Sequence, residues 1–420
     1  MKKVAVISAL ALLGASMAVN PPPAAATDIS LESRTYVPAR GTDGESTHVL
    51  LYEYLNFAAE DLVQPGIYLR AGGWGRTDLA DETFGEKTNS ELQYGFVGWR
   101  APQLNAEARA GRVSLTAGVA RNEVFDGMLL GSDLPAGFDA TIFGGIPVEV
   151  DEDGRSSDLL YGGRVSQGRA GLYRLGASYL KEQNDGDDVR EEAGADLFLA
   201  PLPLVEVTGT SLYNMTEKAW ARHDYRLVLG PFAKRVRLTA TWASTDYTAY
   251  FTEPMNHAML PVEDTKQDRI GGELEFVLGL GFTVTGEYVS YSASDDAGDG
   301  SVYGARFSWA GSGATAGAGY RRVDGEAEED QYQEITAQAA TAFGPLHVSV
   351  DAQYLKYEAE INGETNSMNG KLGVSYAATR SLELAASVEY GKTPEYDREV
   401  KGFFAMTWRY DASMKKGGTK

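Results

Sequence analysis

The sequence predicts an all-β protein in which about 22 strands form a single closed antiparallel barrel. The first observation is an alternation of apolar and polar residues from about residue 27 to residue 410, as in residues 346–354 and 382–390. Side chains of a strand point alternately to opposite faces, so each segment has one apolar and one polar face. The second observation is a regular order of long and short connections between these segments. Together they predict one very large sheet, which has to close or pack.

The N-terminal residues 1–26 are predicted to be a signal peptide that lies outside the fold. A short basic start precedes an apolar run that is too short to span a bilayer, and cleavage fits after Ala18 or after Ala26. The barrel is assigned to residues 27–410 and a C-terminal periplasmic tail to residues 411–420. The chain has no cysteine, which excludes disulfides, thiolate metal sites and covalently attached c-type haem.

Composition narrows the class of partner. The formal net charge is −21, which argues against binding nucleic acid through its phosphates. The 48 glycines and 23 tyrosines are typical of twisted strands and of aromatic anchors at two membrane interfaces. No linker or change of period divides the chain, so we expect one domain.

Long and short connections come in turn along most of the chain. Long, polar ones lie near 38–47, 79–89, 145–157, 182–192, 252–268, 293–300, 324–331, 361–367 and 391–398. Short ones lie near 101–104, 166–170, 201–203, 230–233, 279–281, 310–312, 344–345 and 378–381. Outer-membrane barrels have short periplasmic turns and longer extracellular loops, whereas a soluble sandwich has no reason to sort its loops. The order favours a bacterial outer-membrane barrel with periplasmic termini, with a soluble sandwich as the alternative.

The strand count depends on one weak region. Counting from Asp28–Val37 gives 22 strands, an even number as single-chain bacterial barrels require. Val124–Gly131 is either a full strand or part of an in-folded loop. In the second case the count is 20.

Parity along the strands predicts which side chains face lipid and which line the lumen. The predicted lipid-facing set is Tyr94, Phe96, Tyr173, Tyr179, Trp242, Phe276, Phe282, Tyr288, Phe307, Trp309, Phe404 and Trp408. The predicted lumen-lining set is Arg70, Arg76, Arg100, Arg237, Glu273, Glu275, Glu287, Arg306, Asp351, Glu383, Glu389 and Arg409. Charges at every level of the polar face indicate a wet interior.

The chain resembles a Gram-negative outer-membrane porin-type barrel. The resemblance rests on the signal peptide, the sorted loops and Val400–Tyr410, which is similar to a barrel's closing strand. It implies contact with outer-membrane lipid, with lipopolysaccharide and with the barrel-assembly machinery. In that family the assembly signal usually ends at the last aromatic residue, and residues 411–420 depart from this pattern.

Two segments carry a more specific resemblance. Leu51–Leu62 followed by Gly72–Leu79, and Leu134–Glu149, are similar to uncharacterised porin-like proteins of anaerobic, metal- and sulfur-metabolising bacteria. Some barrels of those bacteria sheathe multihaem cytochromes and carry electrons across the outer membrane. The resemblance therefore implies a multihaem cytochrome as a candidate partner.

Acidic side chains cluster in the long connections. They are Asp151, Glu152, Asp153, Asp187, Asp188, Asp295, Asp296, Asp299, Glu328, Glu329 and Asp330. Carboxylates around one mouth would attract cations and repel anions, so we expect a cation preference. The alternative is solvated loops bridged to lipopolysaccharide by divalent cations. Residues 295–300 resemble a calcium loop, but Arg306 stands where the closing Glu is needed, and we expect no metal site.

The expected function is a porin that passes small hydrophilic solutes or ions, and the alternative is a sheath for a multihaem cytochrome. We expect no folded plug ahead of the barrel, which makes residues 118–136 and 252–268 candidates for loops that fold inward. The four histidines lie in separate segments, and His223 beside Asp224 has no recognisable nucleophile. We therefore expect no enzyme activity and no cofactor.

Overall fold

The computed structural model describes residues 28–42, 47–62, 64–80, 87–148, 158–250, 266–294 and 298–413. Nearly all of these residues belong to strands. The strands are β1 (Asp28–Thr42), β2 (His48–Glu60), β3 (Ile67–Asp78), β4 (Thr88–Ala101), β5 (Ala106–Ala117), β6 (Ala120–Leu134), β7 (Phe138–Pro147), β8 (Leu159–Arg169), β9 (Tyr173–Asn184), β10 (Asp187–Leu202), β11 (Val205–Asn214), β12 (Ala219–Phe232), β13 (Val236–Asp246), β14 (Lys266–Gly279), β15 (Phe282–Ala293), β16 (Gly300–Ala310), β17 (Ala314–Gly325), β18 (Tyr332–Phe343), β19 (Leu346–Ile361), β20 (Glu364–Ala377), β21 (Leu382–Lys392) and β22 (Glu399–Ser413).

Helical segments in the described ranges are short. The α-helix α1 covers Tyr247–Tyr250. Single 3₁₀ turns cover Pro102–Leu104, Pro135–Gly137 and Glu328–Asp330. Within the described chain, no helix has the length and apolar character needed to cross a bilayer.

The sheet closes on itself. Each strand pairs antiparallel with the next, and β22 pairs with β1 from Thr42↔Glu399 to Asp28↔Ser413. All 22 strands form one sheet, which confirms the predicted fold. Closure satisfies the backbone donors and acceptors that an open edge strand would leave unpaired.

The weak region of the sequence forms a complete strand. Strand β6 pairs with β5 over most of its length and with β7 from Phe125↔Pro147 to Leu134↔Phe138. The alternative count of 20 strands is therefore wrong, and residues 120–134 are wall rather than an in-folded loop.

Several predicted boundaries shift by a few residues. The connections expected near 182–192 and 361–367 are only residues 185–186 and 362–363. Strand β22 continues past Tyr410, since Asp411 pairs with Ser30 of β1. The predicted signal peptide lies outside the described residues.

Contacts between strands that are not neighbours identify the interior face. Paired residues of adjacent strands share a face, and Arg121 of β6 reaches Glu192 of β10 at 2.6 Å. Arg190 of β10 reaches Glu123 of β6 at 3.0 Å. Side chains from walls so far apart along the sheet can meet only inside the cylinder. The interior face of every other strand follows from the pairing register.

The outward face is apolar and exposed. Examples from well-separated strands are Ile142 at 59%, Ile270 at 64% and Val388 at 50% exposure. Outward aromatic residues lie near both ends of the strands, as Trp309 and Tyr303 do on β16. A monomer in water rarely exposes so much contiguous apolar surface.

The interior has two parts. In the packed sector, defined as the interior face of β3–β12, apolar side chains are buried against each other; they include Tyr68, Phe96, Val113, Phe125, Leu129, Phe143, Leu160, Leu180 and Leu212. In the open sector, defined as the interior face of β13–β22 with β1 and β2, the interior side chains are mostly polar or small. Many of its charged groups are exposed, such as Glu383 at 49%.

Candidate functional site in the barrel interior

The register places all twelve predicted lumen-lining residues on the interior face. Arg237 pairs with Glu275, and Glu273 pairs with Glu287, across β13–β15. The other eight are Arg70, Arg76, Arg100, Arg306, Asp351, Glu383, Glu389 and Arg409. Their contact with a solute stays a prediction.

Many of these charges are paired with partners that the sequence did not reveal. Arg70 and Arg100 both reach Glu60 at 3.0 Å. Arg409 reaches Glu32 at 2.9 Å, and these two residues are 377 positions apart. Side chains this exposed contribute about 0–1 kcal/mol per pair, so they set the local potential rather than hold the barrel together.

The turn between β5 and β6 lies inside the barrel. The backbone N–H of Val119 donates to the hydroxyl of Ser178 on β9 at 3.0 Å. Val119 and Ala120 are fully buried. A Cβ at Gly194 would meet Val119 at 2.5 Å, so only glycine leaves room for the turn at this point of β10. The tip of this hairpin therefore narrows the interior. Of the segment 118–136 that was predicted to fold inward, only this tip does so, because Ala120–Leu134 forms strand β6.

A cluster of four charges, Arg121, Glu123, Arg190 and Glu192, joins the start of β6 to β10, four strands further along the sheet. Arg190 donates to Glu192 at 2.8 Å and to the carbonyl of Val119 at 3.2 Å. Glu192 has no solvent-exposed side-chain surface. The buried carboxylate of Glu192 and the partly buried carboxylate of Glu123 are shared between two guanidinium groups. No ionised group here is left without a counter-charge, as burial requires.

Helix α1 also lies inside the barrel, where it contacts both β11 and the start of β6. The Asn214 amide donates to the carbonyl of Ala249 at 2.8 Å, and Ala249 is buried in the apolar cluster of the packed sector. Arg121 lies 4.1 Å from the centre of the Tyr250 ring. Burial would raise the pKa of the Tyr250 hydroxyl, but Arg121 and Arg222 outweigh it and lower this pKa. Residues 251–265, which include most of the predicted in-folding segment at 252–268, lie outside the described residues.

Two predicted lipid-facing residues, Tyr94 and Phe96, lie inside instead. Tyr94 donates to Asn56 at 2.8 Å on the interior face. The ring of Phe96 meets the ring of Tyr68 edge-on, with centroids 6.0 Å apart. Their strand presents Val97 and Trp99 to the outside. The error arose because both faces of β4 are apolar, so alternation gives no sign of which face is the inner one.

A second charged cluster in the packed sector lies nearer the periplasmic ends of the strands. Arg164 makes a two-pronged contact with Asp196 at 2.7 and 3.0 Å and also reaches Asp139. Arg174 and Ser166 donate to the same Asp139 carboxylate. Planar guanidinium groups suit bidentate contacts, and the cluster links four strands of the wall, β7 to β10.

The predicted acidic loops are only partly within the described chain. Asp151, Glu152, Asp153, Asp295 and Asp296 lie outside it. Asp187 and Asp188 begin strand β10 rather than occupy a long loop, and Asp188 pairs with Lys181 at 2.7 Å. Asp299 is exposed, and Glu328, Glu329 and Asp330 form an exposed turn before β18.

His223 and Asp224 do not form a catalytic pair. They are successive residues of β12, so their side chains point to opposite faces of the wall. His223 lies outside, 2.8 Å from the Ser211 hydroxyl and stacked against Trp242. In the described ranges, no group of three or more His, Cys, Asp or Glu side chains has the arrangement of a metal site.

No protein-family model matches the chain, and no curated protein sequence matches it. Among solved structures, the chain is similar to OccK8 (OprE) of Pseudomonas aeruginosa, with 11% identity, 92% of this chain and 98% of that chain covered, and a TM-score of 0.46. It is also similar to Pseudomonas aeruginosa OpdK with vanillate, with 12% identity, coverage of 92% and 99%, and a TM-score of 0.47. OccAB4 of Acinetobacter baumannii has 12% identity, coverage of 94% and 100%, and a TM-score of 0.46. The barrel assignment rests on the strand pairing described above.

Proposed function

We propose that this chain is an outer-membrane channel through which small hydrophilic solutes or ions pass along the open sector. The observation that carries the proposal is the polarity of the closed sheet. Its outward side chains are large and apolar, and its inward ones include charges on almost every strand. This is the reverse of a soluble barrel, and it suits a wall between hydrocarbon and water.

Aromatic side chains support a membrane position. On the outer face, Trp309, Phe343 and Tyr376 lie near one end of their strands, and Tyr303, Tyr320 and Tyr354 lie towards the other. Such rings prefer the level of lipid headgroups, where one end is apolar and the other is wet. Two belts of this kind are what a bilayer around the barrel requires.

The membrane position is tested by two neighbouring residues of β14. Leu274 faces outward and Glu275 faces inward. Leu274→Arg should impair folding into outer-membrane lipid, by about 2–4 kcal/mol if it lies near the bilayer midplane. Glu275→Lys should fold normally. Equal tolerance of both changes in a vesicle-folding assay would contradict the membrane proposal.

Channel activity is tested by the conductance of the purified protein in a planar bilayer. We expect a steady current that follows the voltage, because charged side chains line the interior face of the open sector. A correctly folded barrel that carries no current would contradict the proposal.

We also propose that the channel prefers cations. The support is the exposed acidic turn of Glu328, Glu329 and Asp330 at the extracellular end of β17 and β18. A negative mouth raises the local concentration of cations. Under a salt gradient the reversal potential should therefore have the cation-selective sign, and Glu328→Gln with Glu329→Gln should reduce it.

A sheath around a multihaem cytochrome is the alternative. Its support is the resemblance of two segments to porin-like proteins of anaerobes, together with the width of a 22-stranded barrel. A sheath needs a wide, unobstructed cylinder. The inward turn at Val119 and the helix α1 narrow this interior, which favours the channel. A silent barrel that co-purifies with haem would favour the sheath.

A further inference from the structure

One side of the outer wall differs from the rest. On β16, β17, β19 and β21 the extracellular aromatic belt is formed by Tyr303, Tyr320, Tyr354 and Tyr390. On the six neighbouring strands β1–β6, no aromatic side chain of the described residues lies on the outer face at this level. When residues are counted from the periplasmic end of each strand, the outward-facing residues at the height of those tyrosines are Thr35, Glu53, Gly75, Gly95, Arg112 and Asp126. We call this set the polar band.

Glu53 carries a carboxylate on the outer face without a cation. The hydroxyls of Ser33 and Thr35 donate to its two oxygens at 2.5 and 2.6 Å. Among the described residues, no Lys, Arg or His forms an ion pair with it. A carboxylate at the edge of the hydrocarbon is stabilised by a counter-charge, and this wall does not supply one.

Arg112 has donors to spare at the same level. Its guanidinium contacts both oxygens of Asp126 at 2.9 Å and donates to the carbonyl of Leu92 at 3.0 Å. These contacts use three of the five N–H groups of a guanidinium. Two donors remain for a further carboxylate.

One large side chain lies among glycines between these two charged groups. Gly73 and Gly75 on β3 and Gly95 on β4 are on the outer face between Glu53 and Arg112. Gly73 is buried, and the side chain of Leu92 covers Gly95, where a Cβ would meet it at 3.2 Å. The band thus has an acceptor on one side and a donor on the other.

We propose that the polar band is the contact surface between two copies of this chain, related by a two-fold axis along the membrane normal. Rotation about such an axis keeps every residue at the same height in the membrane. It places the β2 side of the band in one copy against the β5 side of the band in the other copy. Glu53 of one copy then faces Arg112 of its partner, and the same pair forms again on the other side of the axis. The complementary charges select a second copy as the occupant.

The contact is tested by cross-linking in the native outer membrane. The chain has no cysteine, so single replacements report one position each. Val97→Cys lies on the outer face of β4 beside the proposed axis, and Val350→Cys lies on the outer face of β19, far from it; the two valines are 51% and 49% exposed. A short thiol-specific cross-linker should give covalent dimers with Val97→Cys only. Equal cross-linking of the two variants, or none, would overturn the dimer.

A second measurement addresses the charges themselves. The wild-type protein should be dimeric by native mass spectrometry from lipid nanodiscs, and Glu53→Leu should shift it to monomers by at least tenfold in dissociation constant. A monomeric wild type, a Glu53→Leu variant that stays dimeric, or a wild type that retains another protein or lipopolysaccharide at the band would each contradict the inference. A monomer that still conducts would overturn the dimer and leave the channel proposal intact.

Discussion

The packed and open sectors of the interior are built from the same kind of strand, yet they solve different physical problems. In the packed sector Phe125, Leu180 and Glu192 have no exposed surface. In the open sector Arg237, Glu383 and Lys401 remain 43–49% exposed. The difference indicates that one side of the interior stabilises the barrel and fixes its constriction, while the other remains available to water.

Charges show the contrast most clearly. The cluster of Arg190 and Glu192 is nearly dry, so each partner depends on the other. The pair of Arg237 and Glu275 is separated by 3.6 Å and is well exposed, so water can replace either partner. The same residue types should therefore have structural roles in one sector and electrostatic roles in the other.

The largest expected effect follows from removing a buried counter-charge. Glu192→Ala leaves Arg190 and Arg121 without their shared carboxylate and should lower the free energy of unfolding by about 3–5 kcal/mol. Urea unfolding from lipid vesicles, followed by tryptophan fluorescence, measures the change. Glu383→Ala is the control in the open sector and should cost about 1 kcal/mol or less. Similar losses for both variants would remove the distinction between the sectors.

A smaller effect is expected from apolar packing. Leu180→Ala in the packed sector opens a cavity and should lower the free energy of unfolding by about 2–5 kcal/mol. Leu355 lies on the interior face of β19 and is only half-buried, so Leu355→Ala should cost clearly less. The same urea titration compares the two variants. A larger loss at Leu355 would contradict the assignment of the apolar core to the packed sector.

Charge reversal in the open sector should change selectivity and leave stability almost unchanged. Glu275→Lys replaces a half-buried carboxylate beside Arg237, so the reversal potential under a salt gradient should shift towards anions. The free energy of unfolding should stay within about 1 kcal/mol of wild type. Glu275→Gln should shift the potential about half as far, and an unchanged potential in both variants would mean that ions do not pass this wall.

The smallest expected effect concerns pH. Because Arg121 and Arg222 lower the pKa of Tyr250 in the folded protein, its ionisation adds stability as the pH rises through that folded pKa towards the ordinary value near 10. This contribution is lost as the pH falls again. The stability difference between wild type and Tyr250→Phe should therefore grow between pH 7 and pH 10.5. A constant difference over this range would argue against the contact with the two arginines.

The sequence predicted the closed sheet and the strand count, because alternation is a local property of each strand. It failed at Tyr94 and Phe96, where the inner face is as apolar as the outer one. A local pattern cannot distinguish two apolar faces.

The constriction also escaped sequence analysis in detail. Arg121 and Glu192 are 71 positions apart, and only the inward bend of the β5–β6 turn brings them together. The room for that turn depends on Gly194, a residue that looks like any other strand glycine. Contacts across the lumen form only when the whole sheet has closed, so they cannot be predicted from the sequence of any one segment.

The division between the sectors is tested most directly by blocking the channel current from single cysteines. Gln338 is exposed on the interior face of β18, and Ser178 is buried against the inward turn. A bulky, water-soluble thiol reagent should reduce the current of Gln338→Cys and leave that of Ser178→Cys unchanged. Block of Ser178→Cys without block of Gln338→Cys would contradict the account.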